Sequence, residues 1–271
     1  MDFICPKCGG PLETVGENTK KCSLGHSFDR AKEGYYNLLL GSSGGTHGDN
    51  AEMVNARREF LSYGYYTPLC EVLSSMVIEN TSPFECVLDA GLGEGYYTDA
   101  VERALREYDG GSCVMGFDIS KDAVKRAAKR NPNISLAVAS SYSMPIADGS
   151  VDTVMNVFAP LAKSEVLRVL RKGGRFIMAY AGEEHLFGLK SAIYDEPYKN
   201  ETHDKEIDGF RLISSSRIRY TIELESAERV RSLFKMTPYA YRTGKEEMER
   251  LLSLDRLSTE VDFYVNCYEK I

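Results

Sequence analysis

Val87-Leu88-Asp89-Ala90-Gly91-Leu92-Gly93-Glu94-Gly95-Tyr96 reads as an apolar strand that ends in an acid, turns through alternating glycines and opens a helix. Glycines in that context let the backbone turn sharply and approach a ligand closely, as a nucleotide-type cofactor loop requires. Strands and helices alternate on either side of it. Cys86-Val-Leu88, Cys113-Val-Met-Gly-Phe117, Leu136-Ala-Val-Ala139, the run from Val151 to Phe158 and Arg175-Phe-Ile-Met-Ala-Tyr180 read as strands, with helices expected over 99–108, 122–130 and 163–170. This rhythm predicts a parallel sheet covered by helices on both faces. Farther on, Ser216 to Leu224 alternates as a strand should, a helical region is expected over 227–252, and Val261 to Tyr268 reads as a final strand.

An acid stands at the end of the second strand, Asp118 in Gly116-Phe-Asp-Ile119, where it would accept hydrogen bonds from ribose hydroxyls. A dinucleotide fingerprint would read G-x-G-x-x-G, whereas this loop reads G-x-G-x-G after an acid. The third strand ends Ala139-Ser140-Ser141 and leads into Ser143-Met-Pro145. Together these features resemble a class I S-adenosylmethionine-dependent methyltransferase, an α/β Rossmann-like fold with a seven-stranded sheet. The likeness places Asp89 and Glu94 near the donor's amino-acid end, Asp118 at its ribose, and Ser140 and Ser141 beside its adenine, with Gly91 and Gly93 among the donor-binding residues.

The N-terminal segment carries a different chemistry. Cys5-x-x-Cys8 followed by Cys22-x-x-x-His26 is four metal-binding side chains in two short pairs, each able to turn back on one tetrahedral ion. Three thiolates and an imidazole leave no position for water, so the expectation is one structural Zn2+. A segment of under about 40 residues has no core of its own, and the metal would supply what packing cannot. Lys7, Lys20, Lys21, Arg30 and Lys32 are balanced by acids in this head.

The chain has 271 residues, 43% of them hydrophobic, which suits one α/β domain with a small satellite. A net charge of −7 excludes a nonspecific nucleic-acid coat, so any nucleic-acid contact must be local. Cys70, Cys86, Cys113 and Cys267 lie among apolar residues without close spacing and read as core thiols. No apolar run approaches the length of a membrane span, and a cytoplasmic location is expected. Gly41-Ser-Ser-Gly-Gly-Thr-His-Gly48 reads as a mobile joint separating head from body, with Asp49 or Asn50 capping a helix over 51–61. The resulting division is a zinc-binding RNA-recognition domain at 1–38, a linker and helical arm at 39–83, and a methyltransferase domain at 84–271. On this division, removing residues 1–36 would leave donor binding largely intact.

Cys5-Pro-x-Cys8, His26-Ser-Phe-Asp-x-Ala-Lys-Glu-Gly-Tyr-x-Asn-Leu38, Ala56-Arg-Arg58 and Gly91-x-Gly-Glu-Gly-Tyr-Tyr97 together resemble the RlmA family of large-subunit ribosomal RNA guanine-N1 methyltransferases, over nearly the whole chain. The resemblance implies zinc ligands at Cys5, Cys8, Cys22 and His26 and donor contacts at Tyr66, Gly93, Glu94 and His185. It implies a hairpin of 23S ribosomal RNA as partner; two-fold pairing through the zinc heads into a homodimer is compatible with the sequence. Where the family has an Ala-Pro-Cys turn after the fourth strand, this chain has Ala159-Pro160-Leu161, which removes any role for a thiol there. Asn156 and that turn would line the acceptor pocket, with Tyr97 or Phe158 stacking on the base; no proton acceptor is identified. Two rival readings are a class I methyltransferase for a small molecule or protein, and a non-catalytic zinc-dependent RNA-binding or antibiotic-resistance scaffold.

Overall fold

A computed structural model describes residues 2–41, 50–202, 205–241 and 243–271; most of the glycine-rich joint, residues 42–48, and the alternative cap Asp49 lie outside the described residues. The head contains β1 (Glu13–Val15), β2 (Thr19–Lys21) and β3 (Ser27–Asp29) in a small antiparallel sheet, followed by β4 (Tyr36–Asn37). Next come α1 (Ala51–Ser62) and α2 (Thr67–Asn80). Asn50 caps α1 by accepting the Met53 N–H at 2.9 Å. Proline in the first turn of α2 sits where a missing N–H does no harm.

The body continues through β5 (Cys86–Ala90), α3 (Tyr96–Tyr108), β6 (Cys113–Asp118), α4 (Lys121–Arg130), β7 (Ser135–Val138), β8 (Val151–Val157), α5 (Lys163–Val169) and β9 (Leu170–Ala181). It ends with α6 (Phe187–Ile193), β10 (Phe210–Leu224), α7 (Ala227–Lys235), α8 (Lys245–Leu252) and β11 (Leu257–Lys270). The main sheet runs β10-β11-β9-β8-β5-β6-β7-β4, with β11 antiparallel to both its neighbours, β10 and β9, and the remaining pairs parallel. The seven expected strands are there, and the head adds an eighth by pairing Tyr36 and Asn37 with Ala137 and Val138. Because β5 lies between β6 and β8, the chain reverses direction across the sheet there, and ligands in such folds bind at the strand ends beside that point.

Two expectations change. The helical region over 227–252 is broken, with a 3-10 turn at Pro238–Tyr241 between α7 and α8, because Pro238 has no N–H and crowds the preceding turn. The head, expected to stand apart, is built into the body. Phe3, Cys5, Leu12, Cys22 and Leu38 share one buried cluster with Leu88, Met115, Phe117 and Ala139. The Ile4 N–H donates to the Pro145 carbonyl at 2.9 Å and the Leu38 N–H to the Val138 carbonyl at 2.9 Å. The return from β7 to β8, residues 139–150, contains no helix, though parallel strands are usually joined through one. The head covers the sheet in the place such a helix would take. Removing residues 1–36 would expose that apolar face, a cost that the expectation of intact donor binding after the deletion does not include.

α1, α2, α3, α4, α6, α7 and α8 line the opposite face, where their buried residues form the larger core. Among the described residues, α5 is the one helix whose buried side chains join the head's cluster.

Candidate active site and metal centre

The zinc pattern closes into a cluster. Ligand atoms of Cys5, Cys8, Cys22 and His26 all lie within 4.8 Å of one another. The His26 Nδ1 is 3.5 Å from the Cys5 Sγ and 3.3 Å from the Cys22 Sγ, and the Cys8 and Cys22 sulfurs are 3.6 Å apart. A tetrahedron with Zn–S of about 2.3 Å and Zn–N of about 2.0 Å has S···S edges of about 3.8 Å and S···N edges of about 3.5 Å. The four atoms therefore fit one zinc ion, with Nδ1 as the imidazole ligand.

The glycine loop stands at the carboxyl end of β5. Adding a Cβ to Gly91, which has φ +101°, would bring it 2.5 Å from the Ala159 Cβ, so the loop and the 159–160 turn touch there through the absence of a side chain. At Gly93, φ is +57° and an added Cβ would meet nothing within 4 Å; the space beside it is open. The Gly93 N–H donates to Asp118 Oδ2 at 3.0 Å and the Ser120 N–H to Oδ1 at 2.7 Å, which ties the loop to the end of β6. Asn156 donates to the Ala90 carbonyl at 3.2 Å, holding β8 to the same loop.

Asp89 is buried, accepts the Thr98 hydroxyl at 2.6 Å on one oxygen, and has no partner for the other. Burial, reinforced by the nearby Asp118 charge, raises its carboxyl to about 7, while Thr98 opposes the shift. Glu94 is also buried, but Arg130 holds both its oxygens at 2.7 Å and carries its guanidinium 5.6 Å from the Tyr96 ring. Ser140 and Ser141 are half-buried at the end of β7, where the Ser140 Oγ accepts the Tyr142 N–H at 3.2 Å.

Tyr66 and His185, 119 positions apart, meet: the tyrosine oxygen is 3.4 Å from the His185 Nε2. The Asp262 N–H donates to Nδ1 at 3.4 Å, so Nε2 carries the proton and points it at Tyr66. Burial holds the His185 imidazole neutral, its pKa lowered to about 3, and raises the Tyr66 phenol well above its ordinary value. With one nitrogen accepting and the other protonated, His185 is a hydrogen-bond donor and a poor base. Phe263 joins the group, its ring 4.6 Å from His185, 4.9 Å from Tyr66 and 5.2 Å from Phe158, which in turn lies 5.9 Å from Tyr97. Phe158 is 43% exposed and takes φ +54°, a strained conformation for an aromatic residue.

Comparison with known proteins gives this arrangement its context. A family profile described as "RlmA, N-terminal" matches residues 3–40 and one described as "Methyltransferase domain" matches residues 87–174. A 23S rRNA (guanine(748)-N(1))-methyltransferase of Streptomyces fradiae is 30% identical across 92% of this chain and 89% of its own. A putative 23S rRNA (guanine-N(1)-)-methyltransferase of Micromonospora griseorubida is 33% identical across 88% and 86%. The chain belongs to the RlmA family. A putative methyltransferase structure from Bacillus halodurans shares the fold, with TM-score 0.50 at 16% identity over 74% of this chain and 98% of that one.

As an RlmA-family member the protein is an S-adenosylmethionine-dependent methyltransferase with a structural zinc as its second cofactor. The residues present fit the methyl donor. The open cradle at Gly93 is space a side chain would fill, and the orphaned Asp89 oxygen is a buried acceptor awaiting a donor group. Several partners escaped the sequence reading. Thr98, Arg130, Asp262 and Asn200, whose amide donates to the Gly182 and His185 carbonyls at 3.0 Å, hold the candidate residues from other elements. Phe263 sits in an apolar strand and carried no signal beyond core packing. Of the two arginines in the Ala56-Arg-Arg58 motif, Arg57 reaches the Met236 carbonyl at 3.4 Å, while Arg58 is exposed.

Proposed function

We propose that the protein transfers a methyl group from S-adenosylmethionine to N1 of a guanine in a hairpin of 23S ribosomal RNA, acting in the cytoplasm. The observation that carries this reading is a likeness to 23S rRNA guanine-N1-methyltransferases that spans zinc head and donor loop together. Among the described residues no helix is long and apolar enough to cross a membrane.

S-adenosylmethionine, when bound, supplies an electrophilic methyl on a sulfonium, so the protein's task is chiefly positioning. Gly91 and Gly93 would let the loop backbone lie against the donor, Asp89 would take its ammonium group, and Asp118 its ribose hydroxyls. Ser140 and Ser141 would border the adenine. Tyr66, held by the neutral His185, would close over the donor from the start of α2. Glu94 would act through Arg130, fixing the loop's outer side. Guanine N1 is engaged in pairing inside a duplex, so the target must be unpaired or flipped and must lose its N1 proton. Phe158, exposed and strained beside the Asn156 to Pro160 turn, would stack on it. Cys5, Cys8, Cys22 and His26 would hold the zinc, and pairing of two heads would make a homodimer.

Labelled donor with purified protein and 23S rRNA tests the reading, with primer-extension stops mapping the modified guanine. Label should enter the RNA and create one new stop. Label appearing in a small molecule or protein and never in rRNA would replace the reading with the corresponding rival.

A further inference from the structure

We propose that Lys190 is a positioning residue for donor binding, acting through Asn200 to fix the turn that carries His185; this rests on the reading of Tyr66 and His185 as donor contacts. Lys190 lies in α6, one helical turn beyond Leu186, and none of it is exposed. Its ammonium donates to Asn200 Oδ1 at 2.6 Å and to the Tyr198 carbonyl at 3.0 Å. The Tyr198 and Tyr239 rings cover it, with centroids at 4.2 and 5.1 Å. These partners include no carboxylate. A buried charge without a counter-charge is unfavourable, and an apolar side chain would fill a space that needs only packing. Burial lowers the Lys190 pKa to about 8, so the ammonium is charged at neutral pH. What sets this lysine apart is the pair of oxygens it holds.

Asn200 passes the constraint on. An ammonium only donates, so it turns the amide oxygen toward itself, where the Tyr239 hydroxyl also donates at 3.2 Å. The amide nitrogen is thereby aimed at the His185 turn and donates to the Gly182 and His185 carbonyls, each at 3.0 Å. The Asn200 backbone N–H adds a bond to the Glu183 carbonyl at 3.0 Å. β11 holds the other side of the same turn, its Asp262 and Glu260 carbonyls accepting the Gly182 and Leu186 N–H groups at 2.8 Å. The turn needs support from both sides, since Leu186 takes φ +58°, unfavourable for a bulky side chain. The bonds of the His185 ring itself, to the Tyr66 hydroxyl and the Asp262 N–H, are both 3.4 Å, too long to lock the ring alone. Its place is therefore set by the backbone beneath it. Burial chiefly, with the Lys190 charge adding, also keeps the imidazole neutral against the pull of Asp262.

The test uses full-length, zinc-loaded protein, calorimetry with S-adenosylmethionine, and NMR of the histidine ring nitrogens, where His185→Gln identifies the His185 signals among the four histidines. Asn200→Asp is the deciding variant, because its carboxylate still accepts from Lys190 but has no donor for the Gly182 and His185 carbonyls. It should weaken donor binding roughly five- to a hundredfold and shift the His185 ring signals. Lys190→Met, which keeps the bulk of the stem and loses the ammonium, should do the same. The two together should lose no more affinity than the larger single loss, since both act through one chain of contacts. In a His185→Gln background, which itself should bind donor weakly, Asn200→Asp should weaken binding little further, whereas a general loss of packing would add in full. Wild-type donor affinity and wild-type His185 signals in Asn200→Asp, with His185→Gln binding weakly, overturn the proposal and leave the donor reading standing. Losses that add in full across all three positions assign Lys190 and Asn200 to packing alone and also overturn it. If His185→Gln binds donor as wild type does, the donor reading has failed and the inference falls with it.

Discussion

Asp89 and His185 are both buried, and their titrations oppose each other. Asp89 has a pKa of about 7 in the folded chain against 3.8 for the free group, so between those values the folded state holds the extra proton and stability falls as pH rises. His185 has a pKa of about 3 in the folded chain against 6.5, so the unfolded state holds the extra proton and stability is lost as pH falls through that window. Over the shared range, roughly pH 4 to 6.5, the two slopes partly cancel. Thermal melts of Asp89→Asn should therefore fall more steeply toward acid than wild type, and those of His185→Gln less steeply. Parallel profiles for all three proteins would remove both groups from the buried site. A cationic donor near Asp89 should favour its carboxylate, so donor affinity should rise through about pH 7 in wild type more than in Asp89→Asn. At Asp118, whose oxygens already brace the loop through Gly93 and Ser120, alanine should cost donor binding about 1.5–3 kcal/mol by calorimetry.

The glycine loop works as an element because three others hold it. Arg130 from α4 grips Glu94, Asn156 from β8 meets Ala90, and Ala159 packs on Gly91. The Glu94 and Arg130 pair is mostly buried, so removing one partner strands a charge. Arg130→Met should weaken donor binding and lower the melting temperature, and adding Glu94→Gln should recover part of both. Gly91→Ala should be worse than either, since its methyl meets Ala159 at 2.5 Å and its φ of +101° is unfavourable for alanine. If Gly91→Ala binds donor as wild type does, the loop is not held against the turn. Gly93→Val has open space beside it but a φ of +57° that a β-branched residue resists, so it should lower the melting temperature as well as abolish donor binding.

At the scale of the molecule the zinc head is part of the body's fold. Stripping zinc with a chelator, or replacing Cys8 with serine, should lower the melting temperature of the whole chain, because β4 and the apolar contacts of Phe3 and Leu38 are seated on the sheet. The same treatment should weaken donor binding, since the 139–150 segment that carries Ser140 and Ser141 lies beneath the head. An unchanged melt and an unchanged donor affinity on zinc removal would show that the head only rides on the body.

Local chemistry made much of this protein legible from its residues alone. The alternation of apolar runs and helical segments dictates a parallel sheet, the glycine spacing after Asp89 marks the loop, and the two short ligand pairs mark the metal centre, because each is a property of neighbours in the chain. Breaks such as Pro238 and the extent of β9, β10 and β11 depend on pairing partners and were less clear. What only the tertiary structure decided are meetings across long separations: Tyr66 with His185, Glu94 with Arg130, and the head with the 139–150 segment. Such contacts leave no period or spacing in a sequence, since each depends on which face of the sheet a side chain finds and on what else is packed there.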